Sequence, residues 1–285
     1  MWPPHFPTRL TTPDTTLWYN LEVSAARYPD KAATIRAYVP ARDAAAAARA
    51  VALVDEALGH LTAFGLRPIG QLRTHEVDEA DWAESWKEHF HVLRLGRRLV
   101  IKPSWRRHRR DGDEVVIDLD PGMAFGTGLH PTTRLCLEAV EALADRGPLG
   151  RTLDVGCGSG ILAIAAVKLG ATRVLGVDID PIAIEATEAN ARHNRVNKRI
   201  RAREGSVPTE EGPFDTVLAN LIAGILVELA PHLAAELLPG GRLVASGIFI
   251  DREASVREAF EAAGLRLTDR RHTSDWVAIE AVREG

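Results

Sequence analysis

The sequence predicts an α/β protein: a seven-stranded, doubly wound (Rossmann-like) sheet preceded by a small α+β domain. Three observations predict it. From Leu149 onward short apolar runs alternate with helical patterns, the mark of a parallel sheet built from crossover units. The first of these runs, 152–155, leads straight into Gly156, Gly158 and Gly160, a strand feeding a tight turn and then a helix. The last two strand candidates, 265–271 and 275–281, follow each other without room for a helix, so the sheet ends in a hairpin-like pair. At 285 residues, 46% of them hydrophobic, the chain is long enough for two domains with real cores.

In order, residues 1–75 read as a small α+β domain. Strand candidates at 17–23 and 33–39 precede an alanine-rich helix over about 41–64. Alanine is the best helix former, and Val51, Leu53, Val54, Leu58 and Leu61 supply an apolar stripe. Residues 76–110 read as a linker. It opens with a helix over Glu76 to Phe90, where Trp82 and Trp86 share one face. It continues into strand candidates at 99–102 and 115–118, read as flanking a hairpin turn at Asp111-Gly112 with a solvated basic tip, Arg106-Arg107-His108-Arg109-Arg110. Residues 111–285 read as the larger, α/β domain, with a helix from Pro131 and strands at 152–155, 174–178, 200–203, 214–219 and 241–247 before the final pair. Helices begin near Gly160, Pro181 and Ile222, and another spans about 252–263. Pro181 suits a first helical turn, where its missing N–H costs nothing. Leu238-Pro239-Gly240-Gly241 is a helix stop.

The balance of 35 Lys plus Arg against 39 Asp plus Glu leaves no global field for nucleic acid or anionic membrane, so any such contact is local. No run approaches the ~20 apolar residues of a membrane span, and the start Met1-Trp2-Pro3-Pro4 is unlike a secretion signal. These features place the protein in the cytoplasm. Cys136 and Cys157 lie in different predicted elements and do not make a disulfide framework; Cys157 reads as a small side chain filling a turn.

The pattern Asp154-x-Gly156-x-Gly158-x-Gly160, with Asp178 ending the next apolar run, defines a nucleotide-like cofactor site. The glycines let the backbone approach a ligand, the following helix offers free N–H groups, and an acid at the second strand end can accept both ribose hydroxyls. A dinucleotide site prefers G-x-G-x-x-G, and a carboxylate at position 154 would repel a pyrophosphate while attracting an amino-acid ammonium. S-adenosylmethionine fits better than a nicotinamide cofactor. Seven strands closing in a hairpin-like pair is also the layout of the methyltransferase variant of the fold.

Ahead of the glycine loop, Asp120-Pro121-Gly122-Met123-Ala124-Phe125-Gly126-Thr127-Gly128-Leu129-His130-Pro131-Thr132-Thr133-Arg134 reads as a ligand-shaped loop entering a helix. Together with the glycine loop, with Gly176-Val177-Asp178-Ile179-Asp180-Pro181 and with Leu218-Ala219-Asn220-Leu221, this segment resembles the ribosomal protein L-eleven methyltransferases of PrmA type. The segment Asp81-Trp82-Ala83-Glu84-Ser85-Trp86 is similar to that family's linker. The resemblance covers about residues 76–282. It implies that Thr133, Gly156, Asp178 and Asn220 contact S-adenosylmethionine, with Asp154 and Gly158 completing the cofactor loop. It implies that Phe125 and Trp276 wall the substrate pocket and that Asn220 positions the reacting groups; His130, just before Pro131, reads as a proton acceptor or as a residue that orients the loop or caps the helix. No metal is expected.

The implied substrate is a large-subunit ribosomal protein, methylated on lysine amines and on its N-terminal amine. Two departures stand out. A leucine, Leu129, precedes His130, where many relatives carry a polar residue. The family's recognition domain resembles a strand-helix-strand repeat, whereas about nine residues separate the first two strand candidates here, too few for a helix. Another protein lysine, such as one on electron-transfer flavoprotein, and a non-catalytic, ribosome-associated cofactor-binding module are the competing readings.

Overall fold

A computed structural model of the chain describes residues 17–28, 31–41, 44–63, 72–77, 91–120 and 130–285. The chain divides into two compact units, Met1–Phe90 and His91–Gly285. Residues 91–110, read from sequence as linker, therefore belong to the second unit.

In the first unit, β1 (Leu17–Tyr28) and β2 (Lys31–Ala41) form an antiparallel hairpin, and β3 (Arg73–Val77) pairs on the other edge of β1. Tyr28 of β1 pairs with Lys31 of β2, in keeping with a gap too short for a helix. The third strand has no strong apolar alternation to announce it, and Glu76, expected to start a helix, lies in β3; Trp82 and Trp86 fall outside the described residues. Helix α1 (Ala44–Ala63) has Ala47 buried and Val51, Val54 and Leu58 half-buried along one stripe. Leu53 is 67% exposed: its position falls on the far side of that stripe at 3.6 residues per turn.

The second unit opens with a three-stranded sheet, β4 (Leu93–Leu95), β5 (Leu99–Pro103) and β6 (Val115–Leu119), in the order β4-β5-β6. Here the sequence expectation of a hairpin between 99–102 and 115–118 is overturned: β5 and β6 run parallel, Leu99 beside Val115, and the antiparallel partner of β5 is β4. The intervening chain crosses over instead of turning back, because buried Glu114 ties it down. Its carboxylate accepts from His108 Nε2 at 2.7 Å and the Asp111 N–H at 3.0 Å, and it pairs with Arg94. The Asp111 N–H first, then His108, hold the Glu114 carboxyl down at about 2 from an ordinary 4.5. A depressed carboxyl stabilises the fold fully above its unfolded value and progressively less as pH falls toward the folded one. The stability difference between the protein and Glu114→Gln, followed by denaturant unfolding, should be constant above pH ~5 and shrink as pH falls from 4.5 toward 2; a difference independent of pH would remove Glu114 from this role.

The main sheet comprises β7 (Arg151–Val155), β8 (Arg173–Asp178), β9 (Ile200–Glu204), β10 (Phe214–Asn220), β11 (Leu237–Phe249), β12 (Leu265–Thr273) and β13 (Trp276–Arg283). Their order is β12-β13-β11-β10-β7-β8-β9. All neighbours are parallel except β13, which runs antiparallel to β11 and β12, so the expected terminal pair is present. The helices α2 (Pro131–Arg146), α3 (Ile161–Lys168), α4 (Pro181–His193), α5 (Ala223–Ala235) and α6 (Glu253–Ala262) begin where the sequence placed them. Strand β11 starts four residues earlier than expected, because Leu237 already pairs with Phe214 before a register shift. Two apolar layers cover the sheet. One gathers Leu137, Val140, Ile164 and Leu218, the other Leu226, Leu233, Val256 and Phe260; each such fully buried side chain contributes roughly 1.5–3 kcal/mol. Strand order reverses between β7 and β10, and in open α/β sheets the crevice beyond the carboxyl ends at that point is where ligands bind.

Candidate active site

The crevice is built from the ends of β7, β8, β10 and β11. After β7, Gly156, Gly158 and Gly160 all take left-handed backbone conformations, at φ 71°, 53° and 77°. These are angles that residues with a Cβ rarely adopt. A Cβ on Gly156 would lie 2.5 Å from the Leu221 side chain. The Gly156 and Cys157 N–H groups donate to the Val177 carbonyl at 2.8 and 3.1 Å, which pulls the loop against β8. Cys157 is a buried filler whose thiol is pushed up to about 12 by burial, as its place between glycines suggested.

Asp178, half-buried at the end of β8, accepts from the Gly158 N–H at 2.9 Å and from the Asp180 N–H at 3.1 Å. Asp180 caps α4, accepting the Ile182 N–H at 2.9 Å, with Pro181 in the first turn. Asp154 is only 1% exposed. Its Oδ2 accepts the Ala163 N–H of α3 at 3.0 Å, and its Oδ1 has no hydrogen-bond partner. Burial, reinforced by Asp178 and opposed by the Ala163 bond, lifts this carboxyl to about 7. A buried acceptor left unmatched by the protein, beneath a glycine loop, fits a ligand with a cationic group, which would favour its ionised form. The same loop would leave a second phosphate facing this carboxylate.

On the other side of the crevice, Asn220 ends β10 and donates from Nδ2 to the buried Thr133 hydroxyl at 3.3 Å. The structure thus brings together two residues far apart in sequence that were both singled out. His130 caps α2: its Nδ1 lies 2.8 Å from Thr132 Oγ1 and 3.4 Å from the Thr132 N–H. Of the two roles left open for it, the cap is the one seen. Its ring meets Trp276 edge-on at 4.9 Å between centroids, and Trp276 meets Phe249 at 5.5 Å. Trp276 is therefore part of an aromatic row at the crevice, joined by Phe249, which sequence reasoning missed. Phe125 lies outside the described residues.

Two asparagines were also missed. Asn190 on α4 and Asn194 at its C-cap hold the chain that leads into residue 121. The Asn190 amide exchanges hydrogen bonds with both the N–H and the carbonyl of Asp120 (3.0 and 3.2 Å) and donates to the Ser159 carbonyl at 2.9 Å. The Asn194 Oδ1 accepts the Asp118 N–H at 2.9 Å. Thr187 on the same helix donates to the Gly158 carbonyl at 2.9 Å. An Asn-x-x-x-Asn spacing on a helix was the available signal, since polar amides one turn apart on a buried face require partners.

A doubly wound sheet with β13 inserted antiparallel, carrying an acid-flanked glycine loop and a polar pair at the β10 end, defines a methyltransferase that uses S-adenosylmethionine. The chain belongs to the ribosomal protein L11 methyltransferase (PrmA) family, whose sequence model matches residues 9–284. It is 47% identical over 235 residues to the ribosomal protein L11 methyltransferase of Herpetosiphon aurantiacus, spanning 75% of this chain and 73% of that one. It is 46% identical over 256 residues to that of Geobacter sulfurreducens, spanning 89% and 83%. The crystal structure of a ribosomal protein L11 methylase from Lactobacillus delbrueckii subsp. bulgaricus superposes with a TM-score of 0.64 at 35% identity, covering 69% of this chain and all of that one.

Proposed function

We propose that this protein transfers methyl groups from S-adenosylmethionine to amino groups of ribosomal protein L11, on lysine side chains and on the N-terminal amine. The observation that carries the reading is the juxtaposition, at one crevice, of the Asn220–Thr133 pair with the Asp178-braced glycine loop. When bound, the cofactor supplies an electrophilic methyl on a sulfonium. The chain's own part is to hold the cofactor and to present an uncharged amine. Asp178 is placed to accept the ribose hydroxyls and Asp154 to neutralise the amino-acid ammonium from beneath the loop. The Asn220 Nδ2 donates to Thr133, and in this reading its Oδ1 serves as the acceptor for an incoming N–H. A lysine ammonium must lose a proton before it can attack, at a cost of roughly 4.6 kcal/mol at pH 7. The aromatic row of His130, Trp276 and Phe249 flanks the place proposed for the amine, and exclusion of water there by the docked substrate would lower that cost. In this reading His130 is a positioning residue, fixing the start of α2 and the orientation of Trp276.

The test is mass spectrometry of purified ribosomal protein L11 after incubation with the enzyme and S-adenosylmethionine. Mass gains in steps of one methylene, mapped to lysines and the N-terminus and lowered about ten-fold or more in initial rate by Asn220→Ala, are expected. Cofactor binding without any mass gain would transfer the activity to another protein. The N-terminal hairpin, β1 joined directly to β2, is the feature that such a change of partner would implicate.

A further inference from the structure

At the amino ends of β7, β8 and β9, opposite to the catalytic crevice along the strands, lies a groove of about 230 Å³ lined by Arg151, Arg173, Lys198, Arg199, Arg201 and Glu211. Five cations and one acid share it in a chain whose net charge is −4. Three arginines stand in a row across the sheet, Arg151 and Arg173 at the starts of β7 and β8 and Arg199 just before β9. Arg151 is the direct register partner of Arg173, and the Val174 N–H donates to the Arg199 carbonyl at 2.8 Å, which sets Arg199 beside Arg173. Neighbouring strands are ~4.8 Å apart, and like charges directly opposite one another across strands destabilise a sheet. Glu211 relieves little of this. Its carboxylate is taken by Arg201 at 3.1 Å and Arg203 at 3.2 Å, while Asp215 accepts the Arg151 main-chain N–H at 2.7 Å. The Arg151 guanidinium is steered by uncharged partners, the carbonyls of Glu211 (3.0 Å) and Pro213 (3.4 Å) and the face of Phe214 at 5.1 Å. Arg173, Lys198 and Arg199 are exposed and form no ion pair with a described residue. The run from 189 to 203, which supplies Lys198, Arg199 and Arg201 to the groove, contains no Asp or Glu at all.

Such a row is the pattern that a polyanion neutralises. We propose that this groove binds the phosphodiester backbone of RNA, making a second contact surface separate from the methyl-transfer crevice. Arginine forks match phosphate oxygens in pairs, and a backbone presents them at regular intervals. An acidic protein segment fits less well. The apolar residues beside the cations, Val174, Ile200 and Phe214, are buried, so the groove offers no pocket for partner side chains and its recognition is electrostatic throughout. Electrostatic backbone contact is sequence-independent and steeply salt-dependent.

The test uses the full chain, fluorescence anisotropy and a labelled oligo(U) RNA. Binding in the micromolar range, typical of non-specific phosphate contact, is expected, with log K falling against log salt. The double variant Arg173→Ala/Arg199→Ala should bind at least ten-fold more weakly, with a salt slope flatter by about 1.4, two phosphate contacts at ~0.7 each for single strands. Its S-adenosylmethionine affinity should match that of the parent and its thermal midpoint should be no lower, because neither side chain has an ion-pair partner among the described residues and their mutual repulsion is removed. RNA binding that is undetectable at 50 mM salt, or unchanged in the double variant, would overturn the proposal. Displacement of the RNA by polyglutamate at equal charge concentration would overturn it in favour of an acidic protein segment.

Discussion

Replacing Asp178 by alanine is expected to weaken S-adenosylmethionine binding ten-fold or more while leaving the sheet folded. Two effects act in the same direction. On the proposed placement the carboxylate accepts the ribose hydroxyls, and charge-assisted bonds of that kind are worth roughly 1.5–3 kcal/mol each, where ~1.4 kcal/mol is already ten-fold in affinity. The same carboxylate also fixes the protein side of the site, through the Gly158 and Asp180 N–H groups. The variant therefore meets the cofactor with a glycine loop that has lost a tether. Asparagine should recover part of the affinity, because its amide oxygen can keep one of the two main-chain bonds. Calorimetric titration decides the matter: unchanged affinity in Asp178→Ala would mean that the ribose lies elsewhere.

Gly247→Ala is expected to lower the stability of the second unit by about 3 kcal/mol or more and to abolish methyl transfer. Gly247, in β11, has φ 89°, and a Cβ there would sit 2.0 Å from the Leu221 carbonyl oxygen and 2.6 Å from its carbon. Both are main-chain atoms that cannot rotate away. Left-handed strain in a residue with a Cβ costs about 1–3 kcal/mol and overpacking a similar amount. For a unit of this size each kcal/mol shifts the thermal midpoint by ~2–4 °C, so a fall of roughly 6–12 °C is anticipated. Activity should suffer beyond the stability loss, since relief of the clash moves the segment that holds Asn220. The Leu221 N–H is bonded to the Ser246 carbonyl at 3.0 Å, and β10 shifts with it. Gly224→Ala, at a site with no atom within 4 Å of the added carbon, is the control and should be neutral or mildly stabilising. Midpoints for the two variants within ~2 °C of each other would show that the strand ends yield easily.

The centre of the catalytic sheet was legible in the sequence because β7, β8 and β10 are largely apolar and buried, each ended by a residue with a strong local meaning: Gly156 after β7, Asp178 and Pro181 after β8, Asn220 at the end of β10. What stayed hidden depends on partners distant along the chain. The direction of β6 against β5 is decided by how buried Glu114 gathers His108, Asp111 and Arg94, and the Asp111-Gly112 turn signal is the same for a crossover as for a hairpin. Asn190 and Asn194 look like ordinary helix-surface amides until Asp118 and Asp120 are brought against them. The basic tip at 106–110 drew attention in the sequence, whereas the arginine row at 151, 173 and 199 arises only when three strand starts are laid side by side. In the site itself, Asp178 was visible because it ends the strand after the glycine loop, Thr133 and Asn220 were singled out only through the family resemblance, and Phe249 was missed because nothing local sets it apart from a core aromatic.

Helix α4 has thirteen residues, about 20 Å at 1.5 Å each. Its first turn is anchored by Asp180 next to Asp178, and its last turns grip Asp118 and Asp120 through two asparagines. One stiff rod thus works as a gauge block between the place proposed for the ribose and the main chain that enters residue 121. The spacing of those two places is machined into helical rise instead of being left to loops. Insertions or deletions within α4 would misalign them by whole steps of that rise and by a rotation of the gripping face, so the helix can vary in its solvent-facing side chains but not in its length.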